Sequence, residues 1–337
     1  MPLCNNSSCD IAVAVALLFT GALYICFSSR LISDPIADLQ RSVNNQRRTK
    51  FPVDELEAAL DRAAAGNNKT VIIAMVNKAY VEDVGVERTM MDLFLESFWQ
   101  GEGTLPLLDH LLMVAADQTA YDRCRYRRLH CYKMETDGVD LEGEKVYMSK
   151  DFIEMMWRRT RLLLDVLRRG YHIIFTDTDV MWLRNPFSRL SNNGSLDIQI
   201  SVDGGHAINT GFYHVRSNNR TINLFQKWYD MRLTSKGMKE QDVLKKLLHS
   251  GYFDQLGLAV GFLKTTFFSG FCEDSTDMGA VTTVHANCCV HIPAKISDLT
   301  LVLRDWKSYK ASHVNTKWSP HVNCRRSWKD THYTPKH

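Results

Sequence analysis

The sequence predicts an α/β domain built on a largely parallel sheet, and three observations predict it. From Thr70 onward, short apolar runs rich in β-branched residues alternate with longer stretches whose apolar residues recur at helical spacing. The runs are too short for helices and lack the polar alternation of a strand with one wet face, so both faces are expected to be buried. A polar residue follows each run directly, as expected where parallel strands end and loops leave the sheet.

Ahead of this alternation, residues 1–10 form a short tail and Ile11 to Phe27, "IAVAVALLFTGALYICF", is an uncharged apolar run at the short end of what crosses a bilayer. A cleaved signal peptide is the competing account. No Lys or Arg precedes the run and no clear small-x-small site follows it, which favours an uncleaved transmembrane signal anchor. Residues 28–68 read as a polar stem, closing on an amphipathic piece, "PVDELEAALDRAAAG", that stops at Gly66.

The catalytic-size domain, 69–310, opens with the strand Thr70 to Val76 and the helix Val86 to Trp99, followed by a second strand, His110 to Ala116. Asp151 to Arg169 is a helix, with Asp151 and Glu154 placed as N-cap and N3 partner, arginines in the last turn and Gly170 as the stop. It runs straight into a third strand, His172 to Thr176. The basic tail, 311–337, carries Trp318 and Trp328. It is expected to cap the sheet, tied down by Cys324, with sugar stacking as the alternative use of its aromatics.

A net charge of +3 with interspersed signs leaves no nucleic-acid footprint. Six cysteines lie beyond the anchor, with N-x-Ser/Thr sequons at Asn68, Asn193 and Asn219, which suits an oxidising lumen. Arg30, Arg41, Arg47 and Arg48, all after the anchor, point the other way by the positive-inside rule.

In open α/β sheets ligands bind at the carboxyl ends of the strands. That places Asn77 after the first strand, Asp117 after the second, and Asp177 and Asp179 after the third on one edge, although Asn77 and Asp117 equally suit ordinary turns. In "FTDTD", Asp177 and Asp179 flank Thr178 and can face one hard cation, the way Mg²⁺ or Mn²⁺ is held beside a diphosphate. Glycoside hydrolysis would instead need two acids at least about 5 Å apart across a sugar bond, which a tight D-T-D fits less well. Later, "TTVHANCCVHIPAKISDL" sets His285 after a short β-like run. A zinc site from His285, Cys272, Cys288 and Cys289, with His291 as a further candidate, matches no standard spacing, and Cys288 and Cys289 are expected in disulfides to partners elsewhere.

Five blocks, "MMWRRTRLLLDVL", "FTDTDVMWLRNPF", "INTGFYHVRS", "EQDVLKKLL" and "VHANCCVHIPAKISDLTLVLRDWKSY", together resemble the plant nucleotide-diphospho-sugar transferases, glycosyltransferase family 77. The resemblance implies an A-type glycosyltransferase fold and a single-pass type II protein of the Golgi membrane with its domain in the lumen. It also implies Mn²⁺-assisted (or Mg²⁺-assisted) transfer from a UDP-sugar, a pentose or galactose, to a cell-wall polysaccharide or glycoprotein, with retention. By position it makes Asp177, Asp179 and His285 the metal ligands and puts Arg161 near the donor phosphates, although Arg161 equally suits the surface of an amphipathic helix; Lys78, after the first strand, is a further candidate to offset the phosphate charge. Asn209, Thr210 and Gly211 then lie beside the donor sugar, with Gln241 and Asp242 near the reaction centre. Glu240 stands where the family more often has Asp, and "VHIPA" replaces the usual residues after "HANCC". Donor, acceptor, linkage and oligomeric state are left open, and a non-catalytic nucleotide-sugar- or carbohydrate-binding protein of the same fold is the competing function.

Overall fold

The computed structural model describes residues 54–329 apart from 65–68, 83–87, 137, 192–193, 205–206 and 315–316. The expected membrane run, the first part of the stem and the sequons at Asn68 and Asn193 lie outside the described residues. Among the described residues, no helix is long and apolar enough to cross a membrane.

The chain begins with helix α1 (Glu55–Ala63), strand β1 (Thr70–Val76), the single turn α2 (Lys78–Val81) and helix α3 (Met90–Gln100). Strand β2 (Leu111–Ala115), helix α4 (Gln118–Tyr126), strand β3 (His130–Lys133), the long helix α5 (Lys150–Arg168) and strand β4 (His172–Thr176) follow. Then come the short β5 (Val180–Trp182), β6 (Ile198–Asp203), β7 (Ala207–Val215), α6 (Asn219–Asp230), α7 (Glu240–His249) and α8 (Tyr252–Gln255). Strands β8 (Val260–Leu263), β9 (Phe268–Gly270) and β10 (Thr283–His285) lead to α9 (Ile292–Ser312) and α10 (Val322–Ser327).

The main sheet runs β3-β2-β1-β4-β7-β6-β8. Its first four strands are mutually parallel, β7 is antiparallel to both neighbours, and β6 pairs β8 in parallel. The sheet is therefore mostly parallel, and its strands carry two cores by simple alternation. Ile72, Ala74 and Val76 of β1 face one apolar layer with α3 and α9, while Val71 and Ile73 face the other with α1, α5, α6 and α7. A separate three-stranded sheet, β5-β10-β9, lies beyond the end of β4.

Two boundaries differ from those expected. The last part of the expected stem is α1, whose Leu56, Ala59, Leu60 and Ala63 are buried in the sheet's second core, so this piece belongs to the folded domain. Its apolar stripe needed a partner, and the sheet supplies it. Helix α5 is capped by Ser149, whose Oγ accepts from the Phe152 N–H at 3.1 Å; Asp151 falls in the first turn instead, and Glu154 pairs with Arg158 at 3.0 Å. Gly170 does end that helix, at φ +82, a left-handed value natural to glycine.

The tail is a cap. Trp318 is buried in the first core and donates to Ser275 O at 3.0 Å, and Cys324 bridges to Cys289. Cys272 bridges to Cys288 and Cys124 to Cys131, so adjacent cysteines 288 and 289 tie their loop in two directions.

On β7, His214 is partly buried between β4 and β6 and meets Gln199 at 3.3 Å. Burial, with His172 and Arg216 adding to it, pushes its pKa from 6.5 down to about 4. The folded protein thus refuses a proton that the unfolded chain accepts, so stability falls as pH drops from about 6.5 to 4. Thermal melts across this range should show a loss on the order of 1–3 kcal/mol that His214→Gln largely removes. An unchanged pH slope in that variant would contradict the assignment.

Candidate active site

The ends of β1, β4 and β7 and the start of α7 open onto one cavity of about 420 Å³, a size in the range of small-molecule sites. Its floor is set by how β7 leaves its neighbour. The register with β6 shifts between Ile200, which faces Tyr213, and Ser201, which faces Asn209. Residues 210–212 are released from that ladder and find other partners. The Thr210 N–H donates to Gln241 Oε1 at 3.1 Å, the Gly211 N–H to Asn209 Oδ1 at 2.7 Å, and Gly211 O accepts from the Asp177 N–H at 2.7 Å.

The second sheet delivers the histidine. β10 pairs antiparallel with β5 so that His285 faces Val180, and the Ala286 N–H donates to Asp179 O at 2.9 Å. His285 Nε2 then lies 3.3 Å from Asp179 and 3.9 Å from Asp177. One ligand atom from each of Asp177, Asp179 and His285 falls within 4.8 Å of the others. Gly211 makes room: a Cβ there would stand 2.2 Å from His285 Cε1.

The acids are held by an ion-pair network. Arg159, buried on α5, donates to Asp177 at 2.7 Å and to Glu240 at 2.7 Å, and Thr210 Oγ1 donates to Glu240 at 2.9 Å. Lys295, in the first turn of α9, donates to Asp179 at 2.7 Å. Burial works against the Asp179 carboxylate, but Lys295 and His285 outweigh it and hold its pKa below the ordinary range. Burial raises that of Asp177, with Asp179 adding to it and Arg159 opposing. Burial likewise disfavours a charged His285, yet the two aspartates outweigh it and raise its pKa. Tyr80, also on the cavity, is pushed up to about 12 by burial and stays neutral.

Two carboxylates and an imidazole are a donor set suited to Mn²⁺ or Mg²⁺. An ammonium and an imidazole already crowd Asp179, the sign of a place that asks for positive charge. Asn77 Oδ1 and Thr178 Oγ1, both buried on the cavity wall, have no hydrogen-bond partner among the described residues, as expected of groups that meet a ligand or water.

The other expected site residues divide. Asn209, Thr210, Gly211, Gln241 and Asp242 line the cavity with the acids, and Asn77 joins them with its amide donating to Leu141 O and Gly143 O. Asp117 does not: one oxygen accepts from the Ala120 N–H to cap α4 and the other from the Lys78 N–H at 2.6 Å, so it is a turn residue. The Lys78 ammonium faces Glu82 at 3.9 Å and is absent from the cavity wall. Arg161 is also displaced. It pairs with Asp165 at 3.2 Å and lies over the Tyr229 ring, on the far face of α5.

Arg159 lines the cavity instead, because two positions along a helix turn a side chain by about 200°. Its signal was legible, since it sits in the stripe Met155, Met156, Leu163 and Val166 where an unpaired charge would not be tolerated. Lys295 had only its place in the "HANCCVHIPAK" block. Asn287 had no signal: its amide donates to Asp203 at 2.6 Å and its carbonyl accepts from the Cys272 N–H, bracing the loop after His285.

The sequence profile of the nucleotide-diphospho-sugar transferase family matches residues 106–299. An uncharacterized protein of Arabidopsis thaliana is 74% identical over 341 residues, covering 100% of each chain. A second uncharacterized protein of that plant is 40% identical over 279 residues, 79% of this chain and 72% of the relative. A beta-arabinofuranosyltransferase of Arabidopsis thaliana is 30% identical over 202 residues, 57% of this chain and 35% of its own. With the greater part of the domain inside the profile match and a near full-length relative beside it, the chain belongs to the nucleotide-diphospho-sugar transferase family.

Proposed function

We propose that this chain is a glycosyltransferase of the A-type fold that moves a sugar, a pentose or galactose, from a UDP-sugar to a wall polysaccharide or glycoprotein glycan. The observation that carries it is the meeting of Asp177, Asp179 and His285 at the strand ends inside the cavity. These three would hold Mn²⁺ or Mg²⁺. A divalent ion there supplies positive charge to the diphosphate as the sugar–phosphate bond breaks.

The chain's own residues do the rest. Lys295 keeps a second cation on the same wall, and Arg159 holds the Asp177 carboxyl in place. Gln241 Oε1 is taken by Thr210, which leaves its amide N–H groups as the donors it can offer. Asp242, beside it on the cavity, is the carboxylate assigned to the anomeric face, as nucleophile or as a positioning group for retention. The Golgi lumen, reached through the apolar run at Ile11 to Phe27, is the proposed setting, and the disulfides agree with an oxidising one.

UDP release from a panel of UDP- and GDP-sugars with Mn²⁺ tests the reading. Asp177→Ala and Asp179→Ala should each lower release by about 100-fold or more, without loss of fold by circular dichroism, and EDTA should do the same to the unaltered chain. Full activity under any of these conditions would contradict the metal assignment. Binding of donors without release under every Mn²⁺ condition would favour a non-catalytic binding protein.

Gly211→Ala offers a second check, because the added methyl group must displace His285. Mn²⁺ affinity measured by titration should fall at least about tenfold, roughly 1.4 kcal/mol. Wild-type affinity in this variant would remove His285 from the ligand set.

A further inference from the structure

One part of the cavity is not used by the donor chemistry. Its lining also includes Tyr147 and Trp328, 38% and 53% exposed, from two distant parts of the chain. Their rings meet edge to face, with centroids 5.9 Å apart at 74°. Phe152 backs Tyr147 at 5.4 Å, and the Lys239 ammonium stands 5.2 Å from the Tyr147 ring.

The described tail mixes exposed apolar groups, Val314 and Val322 as well as Trp328, with buried ones. Trp318, Cys324 and Ser327 are all buried, and the indole that follows them is left in solvent. Its backbone is nevertheless fixed. Cys324 is bridged to Cys289, and Ser327 Oγ accepts from the Val290 N–H at 3.0 Å, so Trp328 is fastened to the loop that also carries His285. A rigid, exposed, mutually braced aromatic pair at the rim of a polar cavity is a built surface rather than an unfinished core.

We propose that Tyr147 and Trp328 form a stacking platform for the sugar rings of a neutral glycan acceptor; this rests on the glycosyltransferase reading of the same cavity. Sugar rings present one apolar C–H face and an edge of hydroxyls, which matches an aromatic face rimmed by polar groups. The cavity is continuous from this pair to Asp242 and the aspartates, so a glycan stacked at the rim directs its next hydroxyl inward. The charged residues that share this lining are of both signs, Lys145, Lys239 and Lys245 with Glu144 and Asp242, which selects for no strongly charged ligand.

The test uses the full chain with UDP and Mn²⁺ on an array of neutral and acidic oligosaccharides. Neutral glycans should be retained, and Trp328→Ala and Tyr147→Ala should each weaken the best of them about tenfold, roughly 1.4 kcal/mol. Trp328→Tyr, which keeps a flat ring, should restore most of the binding, and melting curves establish that each variant folds. No retained glycan, retention of acidic glycans alone, or unchanged retention in the alanine variants would overturn the platform. Loss of UDP affinity by the same factor would also overturn it, because the rings would then serve the donor. Failure of the transferase reading would show instead as no UDP release from the unaltered chain, whatever the array retains.

Discussion

Arg159 is the side chain on which the site depends. It lies inside α5 among apolar neighbours and reaches two carboxylates on different elements, Asp177 after β4 and Glu240 at the start of α7. A buried guanidinium is tolerable only when paired and hydrogen-bonded, and either acid alone would be an uncompensated charge. The three groups therefore fix one another, and with them the distance between the sheet edge and α7. Within this network three carboxylates, Asp177, Asp179 and Glu240, face two fixed cations, Arg159 and Lys295. The His285 imidazole lies against the same two aspartates, and a bound cation would add positive charge to this cluster.

The surroundings make that arrangement rigid. The register shift between β6 and β7 frees Thr210 and Gly211 to bind Gln241 and Asp177, and β10 carries His285 to the acids by pairing with β5. Two disulfides leave the adjacent Cys288 and Cys289 in different directions, one to Cys272 and one to the tail. The tail is thereby part of the site's scaffold, and Trp328 stands on the cavity rim because of it.

Much of this was legible in the sequence. Runs such as "TVIIAMV" and "HIIFT" specified buried parallel strands, and their ends located the acids, because residue types at strand ends follow from the topology alone. What was not legible is what depends on rotation or on long-range pairing. Arg159 and Arg161 differ only in the helix face they occupy, and choosing between them required weighing the apolar stripe, not the position in a block. Asp117 and Lys78 had the right place on the sheet edge, but local capping claimed Asp117 and the backbone of Lys78 first. Lys295 and Asn287 are brought in by contacts across the fold that no local pattern encodes.

A double-mutant cycle on Arg159 and Glu240, followed by urea unfolding with the disulfides intact, tests the dependence most directly. Arg159→Met alone is expected to cost about 3–5 kcal/mol, because it leaves Glu240 buried and unpaired. Glu240→Gln added to it should recover part of that loss, giving a coupling energy above about 1 kcal/mol. Additivity of the two changes within about 0.5 kcal/mol would mean that the pair does not hold the sheet edge and α7 together.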